Sequence, residues 1–209
     1  MYKHDAFLKT LTENPIVPVV VIDNYQDVLP LADVLLENNC RIIEITLRTE
    51  RAVDSIKLLK DREYDIIVGA GTVLSSEMFK MVEDAGVDFV VSPGTTKDLL
   101  KYASTSKTPY LPGVMTSSEI LKVKMHGFTI QKFFPASIAG GINALKTYAS
   151  VYGDVKFCPT GGVSYENYKE FLSLPNICAV GGTWIAPKEK IASHDWETIR
   201  QNLKALIRL

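Results

Sequence analysis

The segment 41-RIIEITLR-48 alternates apolar and polar side chains and predicts a β-strand with two different faces. The face expected to lie under helices carries Ile43, Ile45 and Leu47. The opposite face carries Glu44, Thr46 and Arg48. A carboxylate in mid-strand that points into an interior is costly unless it is paired or functional, because desolvating a charge takes several kcal/mol. The segment therefore predicts a strand of an α/β protein whose inner face carries a candidate functional carboxylate.

Short apolar, β-branched runs like this one recur at eight places. They span residues 16–22, 41–47, 66–70, 89–92, 109–111, 129–134, 155–159 and 177–181. Their starts are 20 to 26 residues apart, which is close to the minimum for a strand, a turn, a helix and a second turn. The segments between them have helical periodicity, and several open on residues that start helices: Ser75, Ser76, Ser117, Ser118 and Asp195.

Eight parallel strands with crossover helices either close into a barrel or lie open as a doubly wound sheet. An open dinucleotide-binding sheet would place G-x-G-x-x-G after its first strand, where this chain has Asp23, Asn24 and Tyr25. Length and regularity favour closure. We therefore expect one (β/α)8 TIM barrel domain over residues 1–209, with an extra N-terminal helix in residues 1–15 and the barrel in 16–209.

Composition excludes several classes of protein. The chain has 209 residues, of which 46% are hydrophobic and 22% charged, as in a globular protein with a sizeable core. Its formal net charge of −1 gives no global field for nucleic acid or an anionic membrane. The apolar run 16–22 is far shorter than the roughly 20 residues that cross a bilayer. The N-terminal sequence lacks a signal segment, so we expect a cytoplasmic protein.

The cysteines and histidines indicate no disulfide framework and no zinc site. The cysteines lack C-x-x-C spacing, and we expect buried free thiols at Cys40, Cys158 and Cys178. The histidines are scattered, and we expect surface positions for His4, His126 and His194. Magnesium held by carboxylates alone stays open at this point, because Mg²⁺ needs few protein ligands.

The sixth run ends at Phe134 and places Lys132 on the same face as Ile130 and Phe134. In a barrel the active site lies at the carboxyl ends of the strands. Desolvation beside another cation, such as Arg48, would lower the pKa of this lysine and free its amine for Schiff-base formation. The alternatives are a lysine that extends its ammonium to solvent as a structural cation, and an ion pair of Glu44 with Arg48 or Lys132.

Two glycine pairs follow the last two runs, as Thr160-Gly161-Gly162 and Gly181-Gly182-Thr183. In barrels of this kind, the loops after strands seven and eight present backbone N–H groups to a phosphate, and glycine permits close approach. The segments 69-GAGT-72 and 92-SPG-94 add a rim of small residues. The pattern predicts a phosphate site beside a pocket for a small substrate.

Seven ordered motifs resemble the 2-keto-3-deoxy-6-phosphogluconate (KDPG) and 4-hydroxy-2-oxoglutarate (KHG) aldolases. They are 43-IEITLRTE-50, 69-GAGTVL-74, 92-SPG-94, 111-LPGVMTSSE-119, 132-KFFPA-136, 158-CPTGGV-163 and 181-GGTW-184. The resemblance runs from the first strand to the last helix. It implies a class I aldolase on a (β/α)8 barrel that needs no cofactor or metal and assembles as a homotrimer. Its expected partner is a phosphorylated keto acid, cleaved to pyruvate and glyceraldehyde 3-phosphate, with KHG as a second substrate.

Carried over residue by residue, the resemblance makes Lys132 the Schiff-base lysine and Glu44 the general acid and base. The residues it implies for the pyruvate part of the substrate are Arg48 and Thr72 as carboxylate binders and Pro93 and Phe134 as pocket walls. The residues it implies for the phosphate are Gly161, Gly162, Gly182 and Thr183. The family commonly has serine where this chain has Thr183, which keeps the hydroxyl and adds a methyl group.

Three alternatives remain at this stage. An aldolase for the galactonate-derived isomer of the substrate would differ at one stereocentre only. Another phosphosugar barrel, such as an epimerase or a decarboxylase, would share the phosphate loops but would not need Lys132. A catalytically silent phosphosugar-binding barrel would not require Glu44 and Lys132 together.

Overall fold

Ten α-helices and nine short β-strands lie along residues 3–206, the part of the chain that this computed structural model describes. The strands are β1 (Ile16–Val20), β2 (Ile42–Thr46), β3 (Ile67–Gly71), β4 (Phe89–Val91), β5 (Tyr110–Leu111), β6 (Gly113–Val114), β7 (Ile130–Phe133), β8 (Lys156–Pro159) and β9 (Val180–Gly182). The helices are α1 (Lys3–Glu13), α2 (Val28–Glu37), α3 (Ala52–Asp61), α4 (Ser76–Asp84), α5 (Lys97–Thr105), α6 (Ser117–Met125), α7 (Gly141–Val151), α8 (Tyr168–Leu172), α9 (Lys188–Ala192) and α10 (Trp196–Leu206).

The strands pair in parallel in two sheets. One sheet has the order β5-β4-β3-β2-β1-β9 and the other has the order β6-β7-β8. Two isolated parallel bridges, Phe157 to Ile177 and Thr160 to Gly181, link the sheets on the side of β8. The α/β class with parallel strands and crossover helices is therefore the one that the repeat predicted.

Two predicted strands differ from the structure. The run at 109–111 continues to Val114, and the ladder is interrupted at Pro112 because proline has no N–H to donate. The run at 177–181 is displaced, since β9 covers Val180–Gly182. Gly181 and Gly182 therefore lie inside a strand and not in the loop after it.

An inner cluster of buried apolar side chains draws on both sheets and on α1. It consists of Phe7, Leu11, Val17, Ile42, Phe89, Val91, Leu111, Ile130, Cys158, Cys178 and Ala179. Most of its strand residues stand at or near the amino ends of their strands, so the apolar filling lies below the carboxyl ends.

Helix α1 covers the amino-terminal side of the inner cluster. Phe7 and Leu11 are buried, and the Phe7 ring centroid lies 5.5 Å from that of Phe89. The predicted helix in 1–15 is confirmed for Lys3–Glu13, and residues 1 and 2 lie outside the described part. The helix thus contributes to the core through one apolar face.

Two of the predicted helix N-caps are present in the structure, and a third lies one residue from its predicted position. Ser75 Oγ accepts from the Met78 N–H at 3.2 Å, and Asp195 Oδ1 accepts from the Thr198 N–H at 3.1 Å. Ser117 and Ser118 are not caps; Thr116 caps α6 in a reciprocal capping box with Glu119. The error is one residue, because a threonine and two serines follow one another and each of them can cap a helix.

The thiols are buried to different degrees. Cys158 and Cys178 are buried as expected, whereas Cys40 is only half-buried. Burial raises the pKa of the Cys178 thiol to about 12 and that of Cys40 to about 11. The neutral thiol is therefore favoured at both positions, which is the state of an inert side chain.

No helix in residues 3–206 combines the length and apolar character needed to cross a membrane.

We expect Phe7→Ala to lower the free energy of unfolding by about 3–5 kcal/mol, because it removes a buried ring and leaves a cavity against Phe89. Lys9→Ala, on the exposed side of the same helix, should change it by less than about 0.5 kcal/mol. Chemical denaturation measures both. Equal losses for the two variants would mean that α1 contributes through helix formation and not through its buried face.

Candidate active site

A buried ion pair joins the two sheets near their carboxyl ends. Lys132 Nζ, from β7, lies 3.1 Å from Oε1 and 3.5 Å from Oε2 of Glu44, from β2. The two side chains are only 6% and 4% exposed. Of the two ion pairs that the sequence left open, the structure has Glu44 with Lys132. A proton can pass between these groups, because they lie within hydrogen-bond reach.

Strand alternation directs both charges inward, as predicted. On β2, Ile43 and Ile45 pack under the helices, while Ile42 belongs to the inner cluster. Thr46, on the same face as Glu44, satisfies its hydroxyl by donating to the Val20 carbonyl at 2.8 Å. On β7, Ile130 lies in the inner cluster, so the period of two places Lys132 directly above it.

The lysine lies at the wall of a cavity of about 230 Å³. The cavity is lined by Val19, Arg48, Thr72, Pro93, Lys132, Phe134, Thr160, Gly161, Gly162, Val163, Gly182 and Thr183. Nine of the ten candidate site residues are among them, and the tenth, Glu44, reaches the cavity through its contact with Lys132. Side chains from seven separate segments of the sequence thus meet at one place.

Two features suit the mouth of this cavity to an anion. Arg48 is exposed there, and within residues 3–206 it has no carboxylate partner. Thr72 holds a backbone φ of +62°, a left-handed conformation that is rare for a β-branched residue. Such outliers cluster at ligand-binding positions, where the surrounding structure holds them. The guanidinium of Arg48 matches a carboxylate in shape and charge.

The two glycine pairs serve different purposes. Gly161 and Gly162 have φ angles of +87° and +82°, a conformation that side chains strongly disfavour. Gly182 instead leaves room for a ring, because a Cβ there would lie 1.6 Å from Cζ3 of Trp184. Gly161 and Gly162 line the cavity, and of the second pair Gly182 does so, from within β9 and beside the exposed Thr183.

Thr160 lines the cavity and was not among the predicted site residues. Its hydroxyl oxygen is fully buried. In the sequence, the only indication that Thr160 belongs to the site is its position directly after the predicted seventh strand. Val19 and Val163 were also missed, because apolar wall residues resemble core residues in sequence.

Two of the histidines have protein partners at the surface. His126 is exposed and its Nδ1 lies 2.8 Å from the Lys122 carbonyl oxygen, while the exposed His194 places Nε2 3.1 Å from Asp27 Oδ1. The side chain of His4 lies outside what the structure describes. Among the described side chains, no group of three or more His, Cys, Asp and Glu residues is arranged to hold a metal ion.

Known proteins match this chain along most of its length. A family model described as "Aldolase: KDPG and KHG aldolase" matches residues 8–202. A 2-dehydro-3-deoxy-phosphogluconate aldolase of Pseudomonas aeruginosa is 43% identical over 189 residues, 90% of this chain and 86% of that protein. A KHG/KDPG aldolase of Escherichia coli strain K12 is 40% identical over 189 residues, 90% of this chain and 89% of that protein.

A solved structure agrees with these sequence matches. The KDPG aldolase of Legionella pneumophila, crystallised with pyruvate captured at low pH as a covalent carbinolamine intermediate, is 42% identical. It superimposes with a TM-score of 0.92 and covers 95% of this chain and 96% of its own. Fold, sequence and ordered motifs agree, and the chain belongs to the KDPG and KHG aldolase family.

Proposed function

We propose that this chain is a class I aldolase that cleaves KDPG to pyruvate and glyceraldehyde 3-phosphate, with KHG as a second substrate. The observation that carries the proposal is the 3.1 Å contact of Lys132 with Glu44 at the wall of the cavity. An amine and a carboxylate held together out of water are the two groups that Schiff-base cleavage needs. A protein that only binds phosphosugars has no use for them there.

Lys132 begins the reaction as the nucleophile. Glu44 accepts the proton of the Lys132 ammonium, and the neutral amine adds to the substrate ketone to form a carbinolamine. Glu44 then returns a proton to the carbinolamine hydroxyl, which leaves as water, and the iminium forms. Arg48 and Thr72 hold the substrate carboxylate at the cavity mouth, while Pro93 and Phe134 form walls around the rest of the pyruvate part.

Glu44 then acts as the base for bond cleavage. It removes the proton of the hydroxyl two carbons from the iminium carbon, and the adjacent carbon–carbon bond breaks. The aldehyde leaves, and the bonding electrons move into the iminium to give an enamine. Protonation of the enamine and hydrolysis release pyruvate and restore the amine of Lys132.

The phosphate of the substrate lies between the two glycine pairs. Gly161, Gly162 and Gly182 present backbone to the cavity without side chains, and Thr183 adds a hydroxyl donor at its exposed edge. Thr160, which directly follows β8, lines the cavity beside these loops. Phosphate and reacting carbons therefore occupy opposite parts of one cavity.

We infer that the two sheets form one closed (β/α)8 barrel with α1 across its amino-terminal end, in a single domain over residues 1–209. The two bridges between the sheets and the shared inner cluster support closure. A homotrimer and a cytoplasmic location stay predictions.

Borohydride reduction in the presence of pyruvate tests the proposal. We expect one covalent adduct per chain, at Lys132, because this lysine is buried beside a carboxylate at the cavity. Peptide mass analysis identifies the site. Lys132→Ala should abolish labelling, whereas Lys156→Ala, a control one strand away, should retain it. Labelling at another lysine, or none in the unaltered protein, would contradict the Schiff-base assignment.

We expect Glu44→Gln to reduce kcat by about a hundredfold or more, because a general acid and base contributes about 10²–10⁴ in rate. Glu13→Gln, on the far end of α1, should leave kcat within about twofold. Steady-state kinetics with KDPG measure both variants. Near-normal kcat in Glu44→Gln would assign the proton transfers to water or to another residue.

Thr183→Val is the substitution that tests the phosphate site. A substitution of Gly162 is unsuitable, because Gly162 has a left-handed φ and a Cβ at this position would collide with the side chain of Ser137. Losing a hydrogen bond to a charged group costs about 1.5–3 kcal/mol, so kcat/KM for KDPG should fall by about ten- to a hundredfold. Unphosphorylated KHG should change by less than about twofold. Thr105→Val, on the exposed end of α5, serves as the control. Equal losses on KDPG and KHG would place Thr183 in the catalytic part of the cavity.

A further inference from the structure

Strand β3 has no side chain on its inner face beside the ion pair. Alternation places Val68 and Ala70 under the helices, where both are buried. The positions that face inward are Gly69 and Gly71. β3 pairs with β2, with Gly69 opposite Glu44 and Gly71 opposite Thr46. The two glycines therefore stand next to the strand that carries the catalytic carboxylate.

Each glycine leaves room for a different side chain. A Cβ at Gly69 would lie 2.2 to 2.6 Å from three atoms of the Phe89 ring, in the inner cluster. A Cβ at Gly71 would lie 2.2 Å from Oε1 of Glu44 and 2.8 Å from its Cδ and Cγ. All three nearest atoms belong to that one side chain. Gly69 thus serves packing, whereas Gly71 serves the carboxylate.

The backbone does not require glycine at position 71. The glycines with left-handed φ are Gly86, Gly127, Gly140, Gly141, Gly161 and Gly162, and Gly71 is a regular strand residue. An alanine can adopt this conformation without strain. The cost of a side chain at this position therefore comes from its contact with Glu44 and not from the chain itself.

We propose that Gly71 is a positioning residue that holds the Glu44 carboxylate against Lys132 by leaving its own side-chain space empty. The proposal rests on the roles of Glu44 and Lys132 proposed above. Oε1 is already 3.1 Å from Lys132 Nζ, so it cannot move closer to the lysine by more than a few tenths of an ångström. A methyl group at position 71 would have to displace the carboxylate by about 1 Å, and a misplacement of that size can cost about a hundredfold in rate.

Kinetics of a double-mutant cycle test this inference. We expect Gly71→Ala to lower kcat by about ten- to a hundredfold, to change KM much less, and to shift the pH profile of kcat, because Glu44 and Lys132 no longer share the same contact. In the Glu44→Gln background, Gly71→Ala should change kcat by less than about twofold. Gly153→Ala, where a Cβ would meet nothing within 4 Å, is the matched control. Equal losses in the two backgrounds would overturn the proposal.

Stability provides a second arm that does not depend on turnover. Gly71→Ala should lower the melting temperature of the otherwise unaltered protein, because the buried Glu44 side chain must shift. In the Glu44→Ala background the same substitution should leave the melting temperature unchanged, since the three atoms nearest to a Cβ at position 71 all belong to Glu44. If Gly71→Ala does not fold and Gly71→Ala/Glu44→Ala does not fold either, the proposal is wrong. Failure of the aldolase assignment is a separate outcome, because unaltered protein would then show neither turnover nor borohydride trapping.

Discussion

The contact between Lys132 Nζ and Glu44 Oε1 is the constraint on which the rest of this structure depends. Burying one ion costs several kcal/mol, and the mutual attraction of a pair compensates only if the geometry is maintained. Here the two partners come from strands 88 residues apart in sequence and from two different sheets. The parallel strands and the helices that cover them must therefore be assembled before the charges can meet. At this distance the two groups are within reach of proton transfer, and the proposed Schiff-base chemistry depends on that contact.

Along the strands, the apolar side chains that stabilise the fold and the charged side chains of the candidate site lie at different levels. Near the amino ends, the inner cluster is apolar and α1 closes it with Phe7 and Leu11. Next come Glu44 and Lys132, buried and paired, and above them the cavity with the exposed Arg48 at its mouth. Charges become more exposed toward the carboxyl ends because water reaches only that side. A keto acid can therefore enter with its carboxylate at the exposed cation and its ketone at the buried amine.

The glycines around the cavity illustrate three physical requirements that look alike in a sequence. Gly161 and Gly162 adopt a left-handed backbone. Gly182 has no side chain that would collide with the ring of Trp184, and Gly71 has none that would collide with the carboxylate of Glu44. Only the last of these lies against the buried ion pair, and the space it leaves is where the Glu44 carboxylate lies.

Hydrophobic periodicity by itself determined the parallel α/β class, the approximate positions of the strands and the inward direction of Glu44 and Lys132, because these follow from local geometry with a period of two. The ordered motifs added the family and, through it, a role for each of nine residues that line the cavity. The tertiary structure decided the rest. It selected Lys132 over Arg48 as the partner of Glu44, interrupted a strand at Pro112, and placed Gly181 and Gly182 inside β9. Each of these depends on which atoms of distant segments come within a few ångströms of one another, and no local pattern contains that distance.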